Sequence, residues 1–405
     1  MDIRPIFSAL RRHKTAALLI VLEIAVSCAI LCNAVFLIHS RLQLMDRATG
    51  LAESELVRIQ LAKSGNDDQA AARAKEDLAA LRALPGVKVA AVSNSVPLGL
   101  LGRSLDVKLT PDQSPLFETA YYIGDKQLLD AMGLNLVAGR RFLADEFIDW
   151  AALDAPNSNV GIPSAIITRA MANKLFPEQD PLGKSFYAWN DAPIKVVGVV
   201  EHLVQPHGFN DPSSYEYAIL LPVEGGFPTY LLRVADSSRR AEVLKRAVDT
   251  LKRIDPNRII LKQDTVQEMR ESYYQQDREM AWLLVIVCVA LLVITALGIV
   301  GLASFWVQQR TRQIGVRRAL GATRTQILRY FQTENFLLAT AGIVLGMFLA
   351  YAINHLLMSK YELPRLPLAY LPIGAIVLWL LGQLAVLAPA RHAASIPPAA
   401  ATRSI

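Results

Sequence analysis

Apolar positions along this chain gather into four long blocks and one alternating region. The first block, Ala16–Ile38, runs 23 residues with Glu23 and Asn33 as its polar members. The second, Ala281–Val307, runs 27 residues without a charge; the third, Asn335–Leu357, has 23 and the fourth, Leu366–Ala390, has 25. A bilayer core of roughly 30 Å is crossed by about 20 apolar residues in a helix, so each block predicts a transmembrane helix. The long stretch between the first two blocks switches between a two-residue and a helical period, which predicts an α/β domain. Strands are expected over Leu56–Leu61, Val87–Ser93, Ser164–Thr168, Pro193–Val200, Tyr217–Leu221, Thr229–Ala235 and Arg258–Leu261. Helices are expected over Asp68–Leu84, Asp125–Met132, Arg169–Phe176 and Arg239–Ile254. The polar flanks Arg41–Glu55 and Asp264–Glu279 can continue the first and second spans outward as helical stalks. The expected fold class is therefore four transmembrane helices with a large α/β extracytoplasmic domain inserted between the first and second.

Composition sharpens this. The 405 residues are 53% hydrophobic and 19% charged, with mean hydropathy +0.29, whereas soluble domains lie nearer 45–50% apolar and about 25% charged. That excludes one large soluble enzyme, and equally a disordered, collagenous or disulfide-rich chain. Cys28, Cys32 and Cys288 all lie inside apolar blocks and read as small buried hydrophobes. The first block has a basic start, but its apolar run is too long for a signal peptide and no small-x-small site follows, so it reads as an uncleaved anchor.

Charge then orients the spans. Arg4, Arg11, Arg12 and Lys14 precede the first span, opposed by Asp2. Arg310, Arg312, Arg317, Arg318, Arg324 and Arg329 lie between the second and third spans, with Glu334 at the edge, and Arg391 and Arg403 follow the fourth. Segment 41–280 holds 28 Lys+Arg against 32 Asp+Glu, a net of −4. Both termini and the 308–334 loop are thus expected in the cytoplasm and segment 39–280 outside, in the inner membrane of the cell. The overall charge of +6 is a topology signal, not a nucleic-acid one. Ile3, Ile6, Phe7 and Leu10 fall on one stripe away from Arg4, Arg11 and Arg12, so residues 1–15 predict a short amphipathic helix on the inner leaflet.

Catalytic signals are weak. Gly183-Lys184-Ser185 lacks the glycine five residues earlier that a phosphate loop needs; Glu178 stands there, where phosphate would sit. His202 and His207, beside Glu201, are five apart and miss the i, i+4 pairing of a helical metal site. Asp145/Glu146 and Asp67/Asp68 read as solvated charges. No catalytic, metal or cofactor-binding residues are expected. Glu23 is different, because a carboxylate within a span is costly and is a functional candidate. Its blander and preferred reading is that it snorkels or pairs with a nearby basic residue. Gly342 and Gly346 give a small-xxx-small spacing that either intramolecular bundling or a dimer seam would use.

Residues 314–328, IGVRRALGATRTQIL, followed by Phe331 and a glycine-bearing span, resemble the signature of the FtsX-like permease family, and PARHAASIPPA from Pro389 resembles that family's ending. Gly133–Arg140, Ser164–Phe176 with Asp180–Lys184, and Lys195–Val200 resemble a MacB-type periplasmic core. The resemblance implies a dimeric ABC transporter permease working by mechanotransmission. It also implies a discontinuous Porter-like subdomain with a Sabre-like insert, placed at about 115–225. MacB carries its ATPase ahead of the first span; this sequence begins shortly before that span, so ATP and Mg are expected on a separate cytoplasmic subunit. Further implied partners are a second permease copy or paralogue, a periplasmic adaptor and an outer-membrane channel, besides membrane lipids. Export of a drug, peptide or similar substrate is one reading; lipoprotein release and non-transporting regulation of cell-wall hydrolases are the others. The 308–334 loop is the expected coupling element. Ile314, Leu320, Ile327 and Leu328 are its candidate anchors, Arg317, Arg318 and Arg324 its charge, and Gly315 and Gly321 permit turns or close approach.

The topology is testable by labelling. A cysteine at Asp112 should react with a membrane-impermeant thiol reagent applied to spheroplasts, while one at Thr323 should stay unreacted until the membrane is opened. Labelling of Thr323 alone would reverse the orientation.

Overall fold

The computed structural model describes residues 14–62, 69–99, 102–156, 158–206, 215–361 and 365–396. The expected helix at the N-terminus, together with Asp67, Asp68 and His207, lies outside them. The chain forms two compact units, one from the segments up to Asp46 and from Gln276 onward, the other from Arg47–Gln275.

In the second unit the strands are β1 Leu56–Leu61, β2 Val87–Ser93, β3 Ser104–Val107, β4 Phe117–Ile123, β5 Leu136–Gly139, β6 Ile148–Asp149 and β7 Ser164–Thr168. They continue as β8 Ser185–Phe186, β9 Ile194–Val200, β10 Ala218–Leu221, β11 Val223–Glu224, β12 Thr229–Val234 and β13 Ile260–Thr265. Strands from both ends of the segment make an antiparallel sheet ordered β13-β1-β12-β2. The second sheet, β3-β4-β10-β7-β9-β5 with β8 also on β9, is inserted between β2 and β12, and β6 pairs with β11 apart from both. Ser93 and Gly124 bridge the two sheets. The inserted sheet starts at Ser104, ahead of the expected 115.

Both faces of these strands are covered. Val57, Ile59, Val92, Ile123, Ile167 and Ile219 share a core with Leu78 and Leu81 of helix Ala70–Arg82 and Val248 and Leu251 of helix Arg240–Ile254. Their strand neighbours Leu56, Ala91, Tyr122, Ile166 and Leu220 face a second core, closed by Met132 of helix Leu128–Met132 and by Val266 and Met269 of helix Val266–Tyr273. Strands buried on both faces read as continuous apolar runs, which is why β7, β9 and β10 were legible. The edge strands β3 and β5 are only four residues long, too short to show a period of their own, and are held by the ladders that β4 and β9 offer them. The run Thr-Ala-Tyr-Tyr-Ile ending β4 is the signal that sequence reading passed over.

Two charged pairs knit the domain. Asp77, 1% exposed, accepts from Arg258 Nη1 at 2.5 Å and from the Tyr230 hydroxyl at 2.6 Å, tying helix Ala70–Arg82 to β12 and to the turn before β13. Arg58 on β1 donates through Nε to Asp264 on β13 at 2.8 Å. That second pairing corrects the expected stalk. Asp264 belongs to β13, not to a helix, and Thr265 and Glu268 form a capping box that starts helix Val266–Tyr273. On the other side the first helix stops at Met45 and Glu53–Glu55 is a single 3₁₀ turn.

Among its described residues the first unit holds four helices long and apolar enough to cross a membrane: Lys14–Met45, Gln275–Gln309, Arg324–Tyr361 and Tyr370–Ser395. The fourth begins after the expected Leu366, whose N–H is spent on Asn354 Oδ1 at 2.9 Å just before the donorless Pro367. The first, third and fourth spans share a core of Ile24, Cys28, Ile343, Ala350, Ala375 and Leu378. Polar side chains inside it are bonded across helices: Asn33 Nδ2 to the Ala350 carbonyl (3.1 Å), Trp379 Nε1 to Thr340 Oγ1 (3.1 Å), and the Ser27 and Thr295 hydroxyls to each other (2.8 Å).

Removing Asp77 takes away the fully buried partner of Arg258 and leaves it the part-exposed Asp255 at 3.6 Å; breaking a buried pair in this way costs about 3–5 kcal/mol. Asp77→Ala in the full chain should therefore speed backbone amide exchange throughout β12, while exchange in the third span stays as in the parent; unchanged β12 protection would show that the pair is dispensable.

Candidate functional site

The segment between the second and third spans is built by local rules. A single non-helical residue, Arg310 (φ −101°, ψ 7°), separates the second span from a connecting helix, Thr311–Ala319. That helix ends in a Schellman motif: Ala322 N–H bonds the Arg317 carbonyl (3.0 Å) and Gly321 N–H the Arg318 carbonyl (3.2 Å). Gly321 is left-handed at φ +96°, and no atom lies within 4 Å of where its Cβ would be. Glycine is required there for backbone conformation rather than for room. Thr323 and Gln326 exchange side-chain-to-backbone bonds at 2.9 and 3.3 Å and start the third helix.

These elements divide the expected coupling residues between two faces. Ile314 and Ile327 are buried in a small core with Val307, Phe331, Ala390 and Ala393, with Leu328 packed against it. They hold the connecting helix to its own chain and are not free anchors. Gly315 is likewise buried in mid-helix. Arg318 donates to the Ala394 carbonyl at 2.9 Å, at the end of the fourth span, and the Arg317 guanidinium lies 5.0 Å from the centre of the Tyr330 ring. Arg318 is thus part-buried against its own chain, whereas Arg317 stays exposed beside its ring. What remains outward is Leu320 at 84% exposed, Val316 at 46%, and the exposed Arg312, Arg317 and Arg324. Sequence reading missed Val316, whose position one turn from Arg312 and one turn from Leu320 on a single helix face would have disclosed it. It also missed the pairing of Arg310 with Glu334, buried at 3.0 Å.

The other candidates fall elsewhere. Gly342 and Gly346 face the first span. A Cβ on Gly346 would lie 2.5 Å from Cys28 Cβ and 2.7 Å from the Ala25 carbonyl, and one on Gly342 would lie 2.8 Å from Ile24 Cβ. Their spacing is used inside the chain. Glu23, half-buried, rests against the second span where a Cβ on Gly298 would stand 2.4 Å from its carboxylate; no ion pair reaches it among the described residues. Lys184 lies over the Phe176 ring, 5.2 Å from its centre, beside the left-handed Gly183. His202 Nδ1 is 3.6 Å from Glu216 Oε1. Glu146 is bonded by Arg140 at 2.7 Å, and this bond holds its carboxyl below the usual range.

The description "MacB-like periplasmic core domain" matches residues 17–251. The chain belongs to this family. A second match, "FtsX-like permease C-terminal", covers residues 285–398 and takes in the connecting helix, most of the second span and the last two. The chain is thus an FtsX-like permease whose MacB-like core domain, the two-sheet unit, is extracytoplasmic and lies between the first and second spans. It is 27% identical over 285 residues to the macrolide export ATP-binding/permease protein MacB of Marinobacter nauticus, covering 66% of this chain and 41% of that protein. It is 29% identical over 251 residues to the uncharacterized ABC transporter permease YvrN of Bacillus subtilis, covering 59% and 61%. With the pyoverdine export ATP-binding/permease protein PvdT of Pseudomonas aeruginosa it shares 25% over 280 residues, covering 66% and 42%. The chain spans about two to three fifths of the length of these relatives. Among solved structures, the periplasmic region of MacB from Actinobacillus actinomycetemcomitans gives a TM-score of 0.36 at 15% identity, covering 57% of this chain and 97% of that one.

The two glycine contacts differ in what must yield. Gly346 meets backbone and a Cβ, so Gly346→Leu should overpack the first and third spans by about 1–3 kcal/mol. Gly298 meets only the end of the Glu23 side chain, which can swing away. In detergent, Gly346→Leu should lower the unfolding midpoint clearly and Gly298→Ala should barely move it; equal effects would refute this packing.

Proposed function

We propose that this permease is the transmembrane subunit of an ABC transporter of the MacB/FtsX type, in which ATP hydrolysis on a separate cytoplasmic ATPase moves the extracytoplasmic domain without carrying substrate through the bilayer. The observation that carries the reading is the two-sided connecting helix. One side is fixed to the third and fourth spans through Ile314, Ile327 and Arg318, and the tip presents Leu320 and Val316 between Arg312 and Arg324. A large side chain left 84% exposed has no use within the chain, and an apolar knob ringed by cations suits an acidic-rimmed apolar cleft. The mechanical role follows from attachment: a partner that grips the tip pulls on three spans at once. The names of MacB and PvdT, both export proteins, support export of a small molecule or peptide as the work done. A dimer of permeases, a periplasmic adaptor and an outer-membrane channel complete the assembly we propose.

Leu320 is a cleaner probe than Arg317 and Arg318, because it is 84% exposed and its structural bond, to the Val316 carbonyl, is made by the backbone. A photo-crosslinking residue at Leu320 should capture an ABC ATPase in native membranes. Leu320→Asp should weaken its co-purification by thirtyfold or more, an interfacial loss of about 2–5 kcal/mol, with insertion unchanged. Gln308→Ala should be mild. Adducts to lipid alone, with full ATPase retention by Leu320→Asp, would reduce the loop to a headgroup-facing connector.

A further inference from the structure

We infer that Arg310 is a positioning residue: its buried ion pair with Glu334 sets the angle at which the connecting helix leaves the second span. The inference deepens the coupling reading and rests on it for its functional meaning, though not for its geometry.

The joint is one residue long. Arg310 departs from helical backbone, yet its N–H still bonds the Trp306 carbonyl (3.0 Å) and its carbonyl accepts from Ile314 (2.9 Å). The second span and the connecting helix are therefore one bent rod, not two helices on a flexible tether. A bend without an external reference could take a range of angles. Arg310 supplies the reference: Nη1 lies 3.0 Å from each oxygen of Glu334, on the third span, and the guanidinium sits 5.7 Å from the centre of the Trp306 ring. Arg310 is 9% and Glu334 1% exposed.

Such a pair is a poor device for stability alone, since two apolar residues of similar volume usually do as well or better. What it adds is direction, because a guanidinium and a carboxylate in hydrogen-bond contact tolerate little lateral displacement. Direction matters at this place. The helix from Thr311 to Ala319 is a lever of about 14 Å at about 1.5 Å per residue, so a 10° error at its root displaces the tip by roughly 2.5 Å. Functional constellations demand placement within about 0.5 Å. Further ties lie along the lever, with Ile314 in its apolar core, Arg317 on the Tyr330 ring and Arg318 on the Ala394 carbonyl; packing and a single bond steady the helix, and the charged pair adds the direction at its root.

The test uses the full chain in lipid nanodiscs with spin labels at Ala319, on the connecting helix, and Phe348, exposed on the third span. Arg310→Met/Glu334→Met removes both charges together and should keep the parent's thermal midpoint while at least doubling the width of the label-to-label distance distribution. The reversed pair, Arg310→Glu/Glu334→Arg, should restore a narrow distribution. A narrow distribution in the double-methionine chain overturns the inference, as does a broad one in a stably folded reversed pair. If the double-methionine chain fails to fold, Glu334→Gln, which keeps an acceptor for Arg310 but not the charge, should broaden the distribution, and a parent-like width there overturns the inference as well. Crosslinking from Leu320 is scored separately in the parent. Loss of pose in the variants with no ATPase adduct in the parent retains the positioning role and sinks the coupling reading alone.

Discussion

A backbone that crosses a bilayer must satisfy its own hydrogen bonds, since hydrocarbon offers none. That constraint makes every crossing segment of this chain a helix and leaves side chains to decide how the helices meet. The solution is close contact at small residues, with the first span lying on Gly342 and Gly346 of the third, and polar groups that find partners across helices, as Asn33 does on the Ala350 carbonyl. Lipid gives no hydrophobic drive for helices to associate, so fit and hydrogen bonding carry the association. The second span is the exception in degree. It shares the Ser27–Thr295 bond and buries Ile299, Ala303 and Trp306, but much of its length is exposed, with Ile286, Ile294 and Leu297 outward.

Where the constraint is lifted, beyond the ends of the spans, charge returns with a different use. Arg310, Arg317 and Arg318 count equally as positive charge that orients a chain in a membrane, but each has its own contact: a carboxylate, an aromatic ring and a helix-end carbonyl. A loop that looks like a run of cations is in this sense a small folded element, with an apolar core around Ile314 and Phe331. The proposed coupling role draws on what that element leaves outside, the Leu320 tip.

The extracytoplasmic domain answers the opposite problem. Surrounded by water, it buries apolar surface on both faces of its strands, and a discontinuous first sheet receives a second as an insert. The closing strand β13 and the opening strand β1 are held by Arg58 and Asp264, and the Asp77–Arg258 pair locks a helix over the same edge. Both ends of the domain's chain therefore return to one sheet.

Much of this was determined by the sequence alone, because it depends on local pattern. Length and apolarity specify a span whatever its neighbours, and doubly buried strands such as Ser164–Thr168 and Ile194–Val200 announce themselves as apolar runs bounded by turns. The FtsX-like signature over residues 314–328 was equally legible. Tertiary structure alone decided which members of a pattern face inward. Ile314 and Leu320 are interchangeable as apolar residues on a list, but packing against Phe331 and Ala393 claims the first and leaves the second in the open. Edge strands β3 and β5 exist because a neighbour offers hydrogen bonds, and Asp264 is a strand residue because Arg58 meets it. Arg310 and Glu334 lie 24 residues apart and meet because the chain reverses between two helices. Contacts of that kind depend on where two distant segments are brought together, and no local period encodes it.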